Sequence, residues 1–141
     1  MARAVALDIG TRRIGVALSD SGGTVATPYE VVDRSGDRSA DHRRIAALVD
    51  EAGAEVVVVG LPLSLDGSVG PAAQAILAEV DELRAVLPVS IVTWDERFST
   101  VEAERSLHAM RVRKGRHRRV VDQVAATVIL QSWLDAGQPE W

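Results

Sequence analysis

The chain has no cysteine, which excludes disulfides and thiolate metal sites. Aromatic residues are scarce, only five in 141, too few for an extended base-stacking platform. No apolar run approaches the roughly 20 residues that span a bilayer, so no membrane partner is expected. Asp8 and Arg12 interrupt the N-terminal stretch before it can read as a signal peptide, which predicts a cytoplasmic protein. The three histidines, His42, His108 and His117, lack the helical spacing of a zinc site.

One stretch is rich in base and free of acid. Arg105, Arg111, Arg113, Lys114, Arg116, Arg118 and Arg119 follow one another with no Asp or Glu among them. These are seven of the 16 basic residues, so nine face all 20 acids in the remainder of the chain. A basic pole on an acidic body suits a polyanionic partner met at one place; a solvated loop between helices is the plainer reading.

Length predicts a single domain over residues 1–141. Strands are expected at Ala2–Asp8, Ile14–Ser19 and Val25–Val32, the last at a sheet edge because Pro28 lacks an N–H. A helix at Ser39–Ala52, stopped by Gly53, precedes the wholly apolar strand "EVVVVG" (55–60). Pro71 opens a helix reaching Leu87, and "VSIVTW" (89–94) reads as another buried strand. Ser99 and Glu102 form a capping box for a helix ending near Met110, and a final helix runs from Val120 to Ala136. Three strands in succession followed by crossover units give an α/β fold with a mixed sheet, antiparallel first and parallel after.

Three acids stand where acids are costly. In "RAVALDIGTRRIG" (3–15), Asp8 lies within an apolar strand. In the final helix, Asp122 shares a face with Ala125, Ala126, Ile129 and Trp133; a first-turn acid favoured by the helix dipole is the structural alternative. Asp95 and Glu96 follow the strand ending at Trp94, the position of functional groups when a central parallel strand ends; one of them could merely cap the next helix. Separated carboxylates at element ends suit a hard cation, Mg2+ or Mn2+. Carboxylate-bound metal beside a basic surface is equipment for phosphodiester hydrolysis. "GTRRIG" (10–15) has P-loop glycine spacing, but Val16 and Ala17 replace the Lys and Ser/Thr that a P-loop needs. "DIGTRRIGVAL" also resembles the first phosphate loop of the actin–hexokinase–sugar kinase group, whose members close two such domains around ATP.

Four blocks in order, "LDIGTRRIGVALSD" (7–20), "VVVGLPLSLDGSVG" (57–70), "DERFSTVEAE" (95–104) and "DQVAATVILQSWL" (122–134), resemble the YqgF/RuvX family. The resemblance implies an RNase H-like fold, a five-stranded mixed sheet flanked by helices. It implies a metal site of Asp8, Glu96 and Asp122, with Asp95 as the substitute for Glu96. Gly10, Thr11, Arg12 and Arg13 would hold phosphate, although Gly10 could instead serve a turn of positive φ. Arg97 would face substrate or pair locally, and Arg113, Lys114, Arg116, Arg118 and Arg119 would grip nucleic acid. The loop 60–70 would lie near the site. Trp94 and Phe98 could stack a base or pack. Members are described as nucleases maturing the 5′ end of pre-16S rRNA, the first expectation here, and as Holliday junction resolvases. Cutting a four-way junction symmetrically requires a homodimer, whereas RNA processing allows a monomer. A binding module without catalysis is the third possibility.

Overall fold

The computed structural model describes residues 3–99 and 117–139, excluding the side chains of residues 117–122. Five strands form one mixed sheet: β1 (Ala4–Ile9), β2 (Arg13–Ser19), β3 (Ala26–Asp33), β4 (Val56–Leu61) and β5 (Ser90–Asp95). Their order across the sheet is β3-β2-β1-β4-β5. β1–β2 and β2–β3 pair antiparallel, while β1–β4 and β4–β5 pair parallel. Among the described residues the α-helices are α1 (Arg38–Ala52), α2 (Pro71–Arg84) and α3 (His117–Asp135).

Strand alternation builds two cores. On β1, Val5 and Leu7 face the layer of Ile45, Leu48 and Val49 from α1 with Val80 and Leu83 from α2. Ala4 and Ala6 face Ala125, Ala126, Ile129, Leu130 and Trp133 from α3. β4 divides likewise, Val57 and Val59 to one side, Val56 and Val58 to the other. A strand buried on both faces needs a continuous apolar run, and all six residues of β4 are buried.

β3 lies at an edge, where Pro28 costs no ladder bond, and the β2–β3 register shifts at the same place, between Val16 and Ala17. β5 departs from its expected place. It forms the opposite edge, with three of its six residues half-buried, so Asp95 ends an edge strand rather than a central one. Asp37 caps α1 by accepting from the Ala40 N–H at 3.1 Å, so the helix starts at Arg38, one residue ahead of the expected Ser39. α2 ends at Arg84, short of Leu87, which nevertheless remains in the core. Glu96–Phe98 make a single 3-10 turn that Ser99 closes, its Oγ donating to the Glu96 carbonyl at 2.9 Å. The expected helix from Ser99 to Met110 lies outside the described residues beyond Ser99, as does the basic segment 105–116.

Candidate active site

The C-terminal ends of β1 and β4 and the start of β2 open onto a cleft of about 860 Å³. Its walls include Asp8, Gly10, Thr11, Arg12 and Arg13 from β1 and the turn after it, and Glu96 from beyond β5. Asp8 follows Ala4 and Ala6 in the β1 alternation, on the face covered by α3, and is 8% exposed. Glu96 follows Val92 and Trp94 onto that same face, one place beyond the strand. The approach is close. A β-carbon built on Gly60 would lie 3.2 Å from Glu96 Cγ and 2.5 Å from Ile129 Cδ1 of α3. The glycine therefore lets Glu96 and α3 meet over β4.

Asp95 alternates to the other face, with Ile91 and Thr93. Its carboxylate is held in a fork by Arg97, with Oδ2 2.6 Å from Nη2 and 2.9 Å from Nε, while Oδ1 also accepts the Arg97 N–H at 2.9 Å. Hydrogen bonds from the guanidinium, working against partial burial, hold the Asp95 pKa below the ordinary aspartate value. Asp95 is thereby occupied in capping the 3-10 turn and pairing, whereas Glu96 lines the cleft. Arg97 also donates to the Leu65 carbonyl at 3.2 Å and packs against Gly67, whose φ of +87° only glycine adopts readily. Arg97 thus pairs locally, and by doing so fastens the 60–70 loop beside Glu96. Trp94 packs, its Nε1 donating to Ser132 Oγ at 2.9 Å, with Phe98 tilted against it at 5.3 Å between ring centroids.

Gly10 does not have positive φ. It is required by close approach instead, since a β-carbon would stand 2.7 Å from the Arg13 carbonyl oxygen. Gly10 N–H donates to that same oxygen at 2.9 Å, closing the turn. Thr11 and Arg12 are exposed on the turn and Arg13 is half-buried.

Asp122 lies in the second turn of α3 as described, past the position where a first-turn dipole would account for it. Its side chain and those of Arg118 and Arg119 are outside the description, as are Arg113, Lys114 and Arg116 altogether. The C-terminal half of α3 is tied to the start of β3: Gln131 accepts from Ala26 N–H and donates to the Thr24 carbonyl, both at 2.9 Å. That anchor is at the end of the sheet away from Asp8, so the N-terminal half of α3, with Asp122, runs toward the cleft end. Ala125, Ala126, Ile129 and Trp133, the face assigned to Asp122 by spacing, are all buried.

Four residues of consequence escaped the sequence reading. Glu79 of α2 is 4% exposed and forked by Arg34, at 2.8 and 2.9 Å. His42 Nε2 of α1 stands 2.7 Å from it, and Arg38 Nη2 3.5 Å. Burial opposes the charge on Glu79, but hydrogen bonds from Arg34 and His42 and the charges of Arg34 and Arg38 prevail, lowering its pKa. Arg34, Arg38 and Glu79 all line the cleft. A signal was available: Glu79 sits between Ile76, Val80 and Leu83, and His42 precedes Ile45 and Val49, at helical spacing on apolar stripes.

Hard oxygen donors that line an open, water-accessible cleft fit Mg2+ or Mn2+, which keep several waters. Asp8 and Glu96 supply two; among the described residues no group of three potential ligands is gathered.

The sheet order and the three-layer packing define an RNase H-like domain. Consistent with that, the fold aligns with the Thermus thermophilus RuvC structure at a TM-score of 0.56 and 15% identity, covering 96% of this chain and 97% of the other. It aligns with T. thermophilus RuvC in complex with Holliday junction substrate at 0.52 and 16%, with the same coverage. A family model described as "RuvX: Holliday junction resolvase" matches residues 2–136, and the chain belongs to that RuvX family. Among similar proteins, one from Desulforudis audaxviator (strain MP104C) is 46% identical over 134 residues, covering 95% of this chain and 94% of the relative. One from Mycolicibacterium paratuberculosis (strain ATCC BAA-968 / K-10) is 50% identical over 135 residues, covering 94% and 80%. Both carry the name "Putative pre-16S rRNA nuclease".

Proposed function

We propose that this protein is a divalent-metal-dependent endonuclease that processes the 5′ end of pre-16S rRNA in the cytoplasm. The observation that carries the reading is the shared cleft: Asp8 and Glu96 lie on its wall together with the Thr11–Arg13 turn. Asp8, Glu96 and Asp122 would hold Mg2+ or Mn2+, which when bound supplies Lewis-acid stabilisation and a water of lowered pKa. Thr11, Arg12 and Arg13 hold the substrate phosphate, the guanidinium groups by charge-assisted hydrogen bonds. Gly10 sets the turn that presents them. Arg97, held by Asp95, acts one step away by fastening the 60–70 loop at the Leu65 carbonyl. Arg113, Lys114, Arg116, Arg118 and Arg119 would add charge attraction for the polyanion. The names of the relatives favour ribosomal RNA as substrate, and a monomer suffices for it.

The family description favours a second reading, cleavage of four-way DNA junctions by a homodimer. One experiment separates them. Purified protein is given a precursor rRNA 5′ leader and a mobile four-way junction, with Mg2+ or Mn2+, beside an Asp8→Asn variant and a chelator control. Metal-dependent cuts near the mature RNA end, lost in Asp8→Asn, are expected. Paired symmetric nicks in the junction alone would establish the second reading, and binding of either substrate without cutting would leave a non-catalytic module.

A further inference from the structure

The buried group around Glu79 does more than satisfy its own charges. Arg34 uses two guanidinium nitrogens on Glu79, at 2.8 and 2.9 Å, and points the third, Nε, at the Gly10 carbonyl 2.9 Å away. Its backbone N–H donates to the Arg12 carbonyl at 2.8 Å. One residue therefore grips the 10–13 turn at two points. Glu79 in turn is seated by His42 at 2.7 Å and stands on α2, whose Ala72, Ala75 and Ile76 line the cleft across from the turn.

We propose that Arg34 and Glu79 are positioning residues that tie the phosphate-holding turn to α2, fixing both the conformation of that turn and the width of the cleft. The clamp rests on the nuclease reading above for its ligand, a nucleic-acid phosphate. Its rigidity follows from the guanidinium fork: three of five donors have fixed acceptors in one plane, which lysine cannot reproduce. His42 locks the carboxylate from the α1 side, so three elements converge on one turn.

The test uses the full chain and two variants, Arg34→Lys and Glu79→Gln. Affinity for the precursor RNA leader is measured with chelator present, alongside amide hydrogen exchange of residues 10–13 and the thermal midpoint. Charge alone predicts unchanged binding for Arg34→Lys and tighter binding for Glu79→Gln, which removes an acid facing a polyanion. The clamp predicts the reverse: both variants bind about tenfold more weakly, the size of one lost charge-assisted contact, and the turn amides exchange faster. A lower thermal midpoint with unchanged affinity and unchanged turn exchange would mean a merely structural cluster and would overturn the inference. Tighter binding by Glu79→Gln would overturn it as well. Wild-type protein that neither binds nor cuts the RNA would sink the nuclease reading and this inference together, whereas wild-type binding and cutting matched by both variants would remove the inference alone.

Discussion

Gly60→Ala is the sharpest probe of how the sheet, α3 and Glu96 fit together. The added methyl would stand 2.5 Å from Ile129 Cδ1, 3.3 Å from Ile129 Cγ1 and 3.2 Å from Glu96 Cγ. The first distance is prohibitive, and Ile129 is fully buried, so something must move. Overpacking of this kind costs about 1–3 kcal/mol. With a urea slope of about 2 kcal/mol per M, the unfolding midpoint should fall by roughly 0.5–1.5 M. Ile129→Val removes Cδ1, the atom in the worst contact, at a cost of about 0.5–1.5 kcal/mol by itself. The two changes should therefore couple: the double variant is expected to be no less stable than Gly60→Ala alone, a departure from additivity of about 1 kcal/mol or more. Cleavage should behave differently, because the methyl still presses on Glu96 when Ile129 has been shortened. The double variant should keep a urea midpoint no lower than that of Gly60→Ala and remain impaired in cutting. Additive losses of stability, or full activity in Gly60→Ala, would refute the claim that Gly60 exists to admit both neighbours.

Three further outcomes are expected. Gly10→Ala sets a β-carbon 2.7 Å from the Arg13 carbonyl, a backbone atom that cannot swing away; it should cost about 1–3 kcal/mol and weaken RNA binding, read by urea unfolding and filter binding. Arg97→Ala breaks a pair whose arginine is 35% exposed, so stability should change little, while amides near residues 64–68 exchange faster in a hydrogen-exchange experiment. Glu79 has a folded pKa below its ordinary value of 4.5, so its contribution is complete above that value and lost as pH falls through the folded pKa. Acid titration of stability should accordingly be shallower in Glu79→Gln below about pH 4.5, with a residual slope from Asp95, whose pKa is lowered in the same direction.

The order of strands was legible because each strand carries its own pattern: β-branched and continuous in 55–60, interrupted by Pro28 at the edge. Asp8 was legible for a related reason, an acid where the alternation calls for an apolar residue. Edge or centre for β5 was not, since neighbours across a sheet leave no trace in local spacing, and the apolar run 89–94 fits either. The choice between Asp95 and Glu96 had the same root. Both are acids at a strand end, and only the position of Arg97 and Gly60 around them separates a capping role from a cleft wall. The Arg34–Glu79–His42 group joins residues up to 45 positions apart, a separation no motif spans. Glu79 and His42 nonetheless showed half their evidence, each a titratable group on an apolar helical stripe, whereas Arg34 lies in the loop before α1 and showed none.

The two faces of β1 differ in bulk, and the difference bears on the site. Toward α1 and α2 the strand offers Val5, Leu7 and Ile9; toward α3 it offers Ala4, Ala6 and then Asp8. The α3 side continues in small residues, Ala17, Ala26 and Gly60 on the sheet meeting Ala125 and Ala126 on the helix. Small side chains on both surfaces allow helix and sheet to approach closely, with Ile129 seated over Gly60 and Trp133 buried in the same layer. Valine or leucine at Ala4, Ala6 and Ala17 would hold α3 further from the strands beside it than the alanines do. The alanines therefore set how closely α3 lies over the strand whose end carries Asp8, a spacing that polar residues alone could not set.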